Sequence, residues 1–155
     1  MINQSNGEKK VHSQAKVSVL HLTCSIIYLF PMQKLFLISG AVLGGLGVAI
    51  GAFGAHALKN LLETSQRTDT FETAVRYQFY HALALLFLGL LLYRIDIKLL
   101  HYAGQSMLLG TLIFSGSLYI LCLTGTRWLG AITPIGGVFM IIGWILLTIS
   151  LYKHL

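Results

Sequence analysis

Between Leu35 and Ala57 the chain runs without a single charged residue. A helix needs about 20 residues to cross the hydrocarbon core of a bilayer, so this run is long enough to span one. Three more apolar runs follow, at about Tyr77–Tyr93, Ala103–Thr124 and Ile132–Leu151. Lipid offers no hydrogen-bond partner to a bare backbone, so such segments are read as helices. Composition agrees: 55% of the residues are hydrophobic and 10% charged, where soluble domains carry about 25% charged. The expected fold is all-α, an integral membrane four-helix bundle occupying residues 32–155. Short links at Arg94–Tyr102 and Gly125–Ala131 predict antiparallel hairpins. An even number of spans puts both ends of this domain on one side.

Small residues predict how the helices touch. In the first span Gly40, Gly47 and Gly54 recur every seven residues, with Gly44 and Gly51 filling the same stripe. Ala103, Gly110, Ser117 and Thr124 repeat at that period in the third span, and Gly136, Gly143 and Ser150 in the fourth. Lipid tails are as apolar as leucine, so helices associate through close packing and hydrogen bonds, which small residues permit. A seven-residue repeat keeps such a seam on one face, with left-handed crossing near +20°. The alternative, that the glycines line a pore, is the functional counterpart of this reading.

The link Lys59–Arg76 carries its own signals. Asp69 followed by Glu72 has the spacing of an N-terminal capping pair, which would start the second helix near Asp69, outside the bilayer. Glu72 and Arg76 stand four apart in the favourable order for an ion pair, with Arg76 snorkelling to the interface. Pro134 is expected in the first turn of the fourth helix, where no backbone partner is lost. Trp128 fits an interfacial anchor. Residues 1–31 read as an extension: Val17–Phe30 is short for a span and lacks a small-residue cleavage site, so Met32 is the expected start.

The blocks "GAFGAHAL", "FETAVRYQFYHALAL", "FSGSLYILCLTG" and "GAITPIGG" occur in this order along the chain. They resemble the domain-of-unknown-function 423 family, the YgdD-like group of small bacterial inner-membrane proteins, to which a mitochondrial transmembrane protein is similar. The resemblance runs from Met32 to about Leu155 and implies a multi-pass membrane protein of about four helices. It implies no activity, because the family brings no catalytic or binding residues to carry over.

Polar residues are distributed unequally between the two halves of the bundle. His56, Gln78, His81, Ser117, Tyr119, Thr124 and Thr133, with Arg127 and Trp128, are expected on one membrane-proximal face, with the two histidines close together. Polar side chains in a span usually face the interior or a water-filled cavity. Three readings of this face compete. The groups hydrogen-bond across helices as packing contacts; they bind a small molecule, lipid or ion; or His56 and His81 ligate a haem. Two histidines without a carboxylate or thiolate cluster are weak metal evidence, and no metal site is assigned. No cofactor is expected.

No nucleophile–base–acid set appears, and Glu63, Asp69 and Glu72 fall in the link, so the chain is not expected to be an enzyme. "GGLG" in the first span lacks the lysine of a phosphate loop. The net charge of +6 is scattered around spans and forms no basic stripe, which argues against nucleic acid. Cys24 and Cys122 form no metal or redox pattern. The expected partners are the lipid bilayer and a homo-oligomer or larger membrane complex. Lys34, Arg94, Lys98 and Lys153 lie on one side and Lys59, Arg67, Arg76 and Arg127 on the other. The short basic flanks on the first side favour cytoplasmic termini in a bacterial plasma membrane.

Overall fold

The computed structural model describes residues 31–154; the reading of the leading segment, Cys24 included, lies outside the described residues. Among the described residues five helices follow in order: α1 (Met32–Ala55), α2 (Lys59–Thr64), α3 (Thr68–Leu91), α4 (Lys98–Thr124) and α5 (Leu129–His154). Among the described residues there is no strand. All but α2 are long and apolar enough to cross a membrane. At 1.5 Å per residue each measures roughly 36–40 Å, longer than the ~30 Å hydrocarbon core. The helices therefore start earlier or end later than the apolar runs that announce them. The extension is largest in α3, which begins nine residues before Tyr77.

Two antiparallel pairs, α1 with α3 and α4 with α5, make the closest contacts, and α3 packed on α4 joins them. The predicted seams are where the pairs meet. A Cβ on Gly40 would lie 2.8 Å from the Ala82 carbonyl oxygen, and one on Gly54 would strike the Phe71 ring. Seams in α4 and α5 face each other: a Cβ on Gly110 would lie 2.8 Å from the Gly136 carbonyl, and one on Gly143 would lie 3.0 Å from the Ala103 carbonyl. Backbones this close exclude any side chain. Gly44 is different, since its added Cβ would make an ordinary 3.8 Å contact with Ala82. A Cβ on Gly47 would likewise make an ordinary contact, 3.5 Å from Gln78, while one on Gly51 would be tighter, 3.3 Å from Val75. Thr124 leaves the seam, being exposed and bonded to its own helix through the Ile120 carbonyl. Two contacts lie outside the repeats: Phe36, fully buried, fills the space over Gly104, and Leu37 fills that over Gly89.

The link between α1 and α3 holds an unexpected helix. α2 buries Leu62 against Phe71 and Cys122 while Lys59 and Glu63 stay exposed. It ends in a Schellman turn: Gln66 N–H bonds the Glu63 carbonyl, Arg67 N–H bonds the Leu62 carbonyl, and Gln66 takes φ 54°. That left-handed position is normally given to glycine. The turn places Arg67, not Asp69, at the N-cap of α3. The expected Asp69–Glu72 capping pair is therefore not formed. Asp69 lies in the first turn, where a carboxylate still favours the helix dipole. Glu72 pairs with Arg76 at 3.0 Å, as its spacing predicts. Pro134 also departs from expectation. Because α5 begins at Leu129, the proline sits beyond the first turn and withholds an N–H from the Gly130 carbonyl.

Candidate functional site

Polar side chains inside the bundle form a ladder of interhelical bonds. At its centre Gln78 is buried, donating from Nε2 to the Leu43 carbonyl of α1 at 2.8 Å and accepting at Oε1 from the Tyr119 hydroxyl of α4 at 2.9 Å. One glutamine thus ties three helices. Gly47 lies beside the Gln78 amide, where an added Cβ would make an ordinary contact at 3.5 Å. Ser115 donates to the Ala74 carbonyl, joining α4 to α3 at 2.8 Å. The Ser117 and Thr133 hydroxyls meet at 2.8 Å, and Ser106 donates to the Phe139 carbonyl at 2.7 Å, both joining α4 to α5. Among the described residues no buried side-chain nitrogen or oxygen is without a partner.

His81 is held deep in this ladder. Its Nδ1 lies 2.9 Å from the Tyr77 carbonyl and its Nε2 accepts from Trp144 Nε1 at 3.2 Å, so the tautomer carries its proton on Nδ1. The ring stacks on Tyr77 and meets Trp144 edge-on. Both nitrogens are engaged. Tyr77 in turn packs against Phe114 of α4, which completes an aromatic cluster across three helices.

The two histidines do not come together. Ala82 packs beside Gly40 and Gly44, so His81 stands level with about Gly44, while exposed His56 follows the end of α1. Twelve helical positions separate those levels, roughly 18 Å along the axis. The expectation of adjacent imidazoles places His81 just beneath the surface. The helix starts at Thr68, one residue from the start expected near Asp69, and His81 lies roughly 20 Å along it from that start. The haem reading required both rings on one iron, and this geometry does not supply them. Among the described residues there is also no cluster of three metal-ligating groups.

The remaining residues of the expected face are spread in depth. Thr124 closes α4 and bonds Thr126 in the link. Thr133 lies roughly 6 Å into α5, Ser117 roughly 10 Å from the end of α4, and Gln78 roughly 15 Å into α3. Arg127 and Trp128 are exposed in the α4–α5 link. The polar set is thus a ladder of pairwise contacts descending through the bundle.

Sequence reasoning missed Arg67. Its guanidinium donates to the Leu121 carbonyl at 2.9 Å and to that of Cys122 at 3.4 Å, at the end of α4 where Gly125 adopts φ 78°. A cation at this end adds to the Gly125 N–H already on the Leu121 carbonyl, reaches the Cys122 carbonyl, otherwise unpaired among the described residues, and complements the dipole. The residue type was a signal, but only the fold shows which of the helix ends it serves.

These blocks of sequence are shared with known proteins. The profile described as "Protein of unknown function (DUF423)" matches residues 50–137. The chain belongs to the DUF423 family. Its match takes in His56, Gln78, His81, Ser117, Tyr119, Thr124 and Thr133. A UPF0382 membrane protein of Staphylococcus haemolyticus is 48% identical over 121 residues, 78% of this chain and 98% of the relative. One from Staphylococcus aureus is 47% identical over the same length. The Bacillus subtilis UPF0382 membrane protein YwdK is 42% identical over 124 residues, 79% of this chain and 100% of the relative. No solved structure matches. The DUF423 protein is a small multi-pass membrane protein of an uncharacterised family, and lipid is its immediate surrounding.

Proposed function

We propose that this DUF423 protein acts without catalysis, as a structural or assembly component of a bacterial plasma membrane, with both termini cytoplasmic. The observation that carries the reading is the saturation of its polar ladder. Gln78, His81, Ser117, Tyr119 and Thr133 have their hydrogen bonds within the bundle, so none is presented to a substrate. What the bundle does present is a helix surface. Ala41, Gly45 and Ala49 repeat every four residues on the outward side of α1, and a Cβ on Gly45 would meet nothing within 4 Å. A small-xxx-small row of this kind allows a second helix to approach closely.

Counting protein copies by single-molecule photobleaching, in particles cut directly from the membrane, tests the proposal. More than one copy per particle, or a larger protein recovered with it, is the expected result. Gly45→Leu should release single copies with unchanged melting, because the new side chain meets no neighbour in the monomer. Single copies in both proteins, with no companion, would overturn the reading. The cytoplasmic termini rest on Lys34, Arg94 and Lys98 in short flanks. A periplasmic reporter fused to the C-terminus should be inactive.

A further inference from the structure

Two cavities lie along the outer side of the α1–α3 pair. The upper one, about 500 Å³, opens where α1 ends and α2 and α3 begin; the lower, about 320 Å³, continues down the same two helices. They share Gly51, Val75 and Arg76, so they form one groove. Its chemistry changes along its length. The upper part carries Lys59, Glu63, Glu72 and Arg76, whereas the lower part is walled by Val48, Ala52, Phe79 and Tyr80. A charged mouth above an apolar channel, at the boundary of a membrane span, has the polarity profile of a phospholipid.

We propose that this groove holds one zwitterionic aminophospholipid, its headgroup among the four charged side chains and an acyl chain in the channel below. The charges select the headgroup. Two cations and two carboxylates leave the mouth neutral, so an anionic headgroup would meet Glu63 and Glu72 without compensation. A primary ammonium donates to those carboxylates, and a phosphate accepts from Lys59 and Arg76. The resident ion pairs can make this exchange. Lys59 and Glu63 touch only at 3.9 Å, and all four side chains are more than half exposed. Exposed pairs of this kind hold their partners weakly. Arg76 stands at the junction of the two cavities, where the phosphate of a lipid with its tail below would fall. Charge-assisted bonds from a guanidinium to phosphate are among the stronger ones available. Gly51 forms the neck: a Cβ there would already lie 3.3 Å from Val75.

The site is separate from the buried ladder and from the outward row of α1 at Gly45. The test is lipid retention by the full chain, released from membranes in mild detergent and weighed by native mass spectrometry. Delipidated protein is then titrated with phosphatidylethanolamine, phosphatidylcholine or phosphatidylglycerol. One phosphatidylethanolamine per chain is expected, bound about tenfold more tightly than either competitor, a difference of about 1.4 kcal/mol. Phosphatidylcholine is disfavoured because its quaternary amine cannot donate to Glu63 or Glu72. Arg76→Gln, an exposed change, should weaken retention about tenfold, and Gly51→Leu should abolish it by closing the neck. Millimolar inorganic phosphate should not displace the lipid, since it cannot fill the channel. Preference for phosphatidylglycerol, displacement by phosphate, or equal retention by wild type and Arg76→Gln would each overturn the proposal.

Discussion

Replacing Gln78 with leucine should cost this protein more than its single polar side chain implies. The substitution keeps volume but removes the bond to the Leu43 carbonyl at 2.8 Å and the bond from Tyr119 at 2.9 Å. Interhelical hydrogen bonds in membranes average about 0.6 kcal/mol and reach about 1.7. Two of them give a loss of roughly 1–3 kcal/mol. Leu43 adds little to the loss, because its carbonyl lies within α1, but the Tyr119 hydroxyl is left without its partner. Tyr119→Phe alone should leave Gln78 Oε1 unpaired and destabilise by about 1–2 kcal/mol. The double variant Gln78→Leu/Tyr119→Phe removes both members, so it should be no less stable than Gln78→Leu. Its cost should therefore fall short of the sum of the single variants. Unfolding in mixed micelles with rising SDS, followed by circular dichroism, measures all three. The reasoning fails if Gln78→Leu lies within about 0.3 kcal/mol of wild type, or if the costs simply add, as they do for independent sites.

Other substitutions probe the seams and caps. Gly136→Leu must displace the Phe114 backbone, whose nitrogen would lie 2.5 Å from a new Cβ, and should abolish stable folding; Gly44→Ala should be nearly neutral in the same micelle titration. Arg67→Leu leaves the Leu121 carbonyl with the Gly125 N–H alone and the Cys122 carbonyl without its guanidinium partner, and should lower stability by about 1–2 kcal/mol, with amide exchange fastest at the end of α4. Gln66→Gly relieves the left-handed strain at φ 54° and should raise stability by roughly 0.5–1 kcal/mol.

The spans, their order and most of the seams of α1, α4 and α5 were legible because periodicity and length are local properties. Gly40, Gly47 and Gly54 could be placed on one stripe, and Glu72 with Arg76 on one helix side, from spacing alone. Partners were not legible. Nothing in the spacing of Phe36 or Gly104 says that one fills the other, since that depends on the register between α1 and α4. Depth failed for the same reason. The start of α3 near Asp69 was legible to within a residue, but the depth of the groups that follow was not, and His81 lies roughly 20 Å along the helix from that start. α2 escaped notice because six residues are too few for a period to show, and its one buried contact, Leu62, depends on α4.

The central claim is that the polar groups within the spans serve packing and that the protein acts by assembly. Native mass spectrometry of the complex freed from its own membrane, compared with His81→Ala, tests it most directly. The account predicts an oligomer or a larger companion, and a His81→Ala chain that is less stable but carries the same bound masses. A lone chain holding a small ligand or haem that disappears with His81→Ala would contradict it.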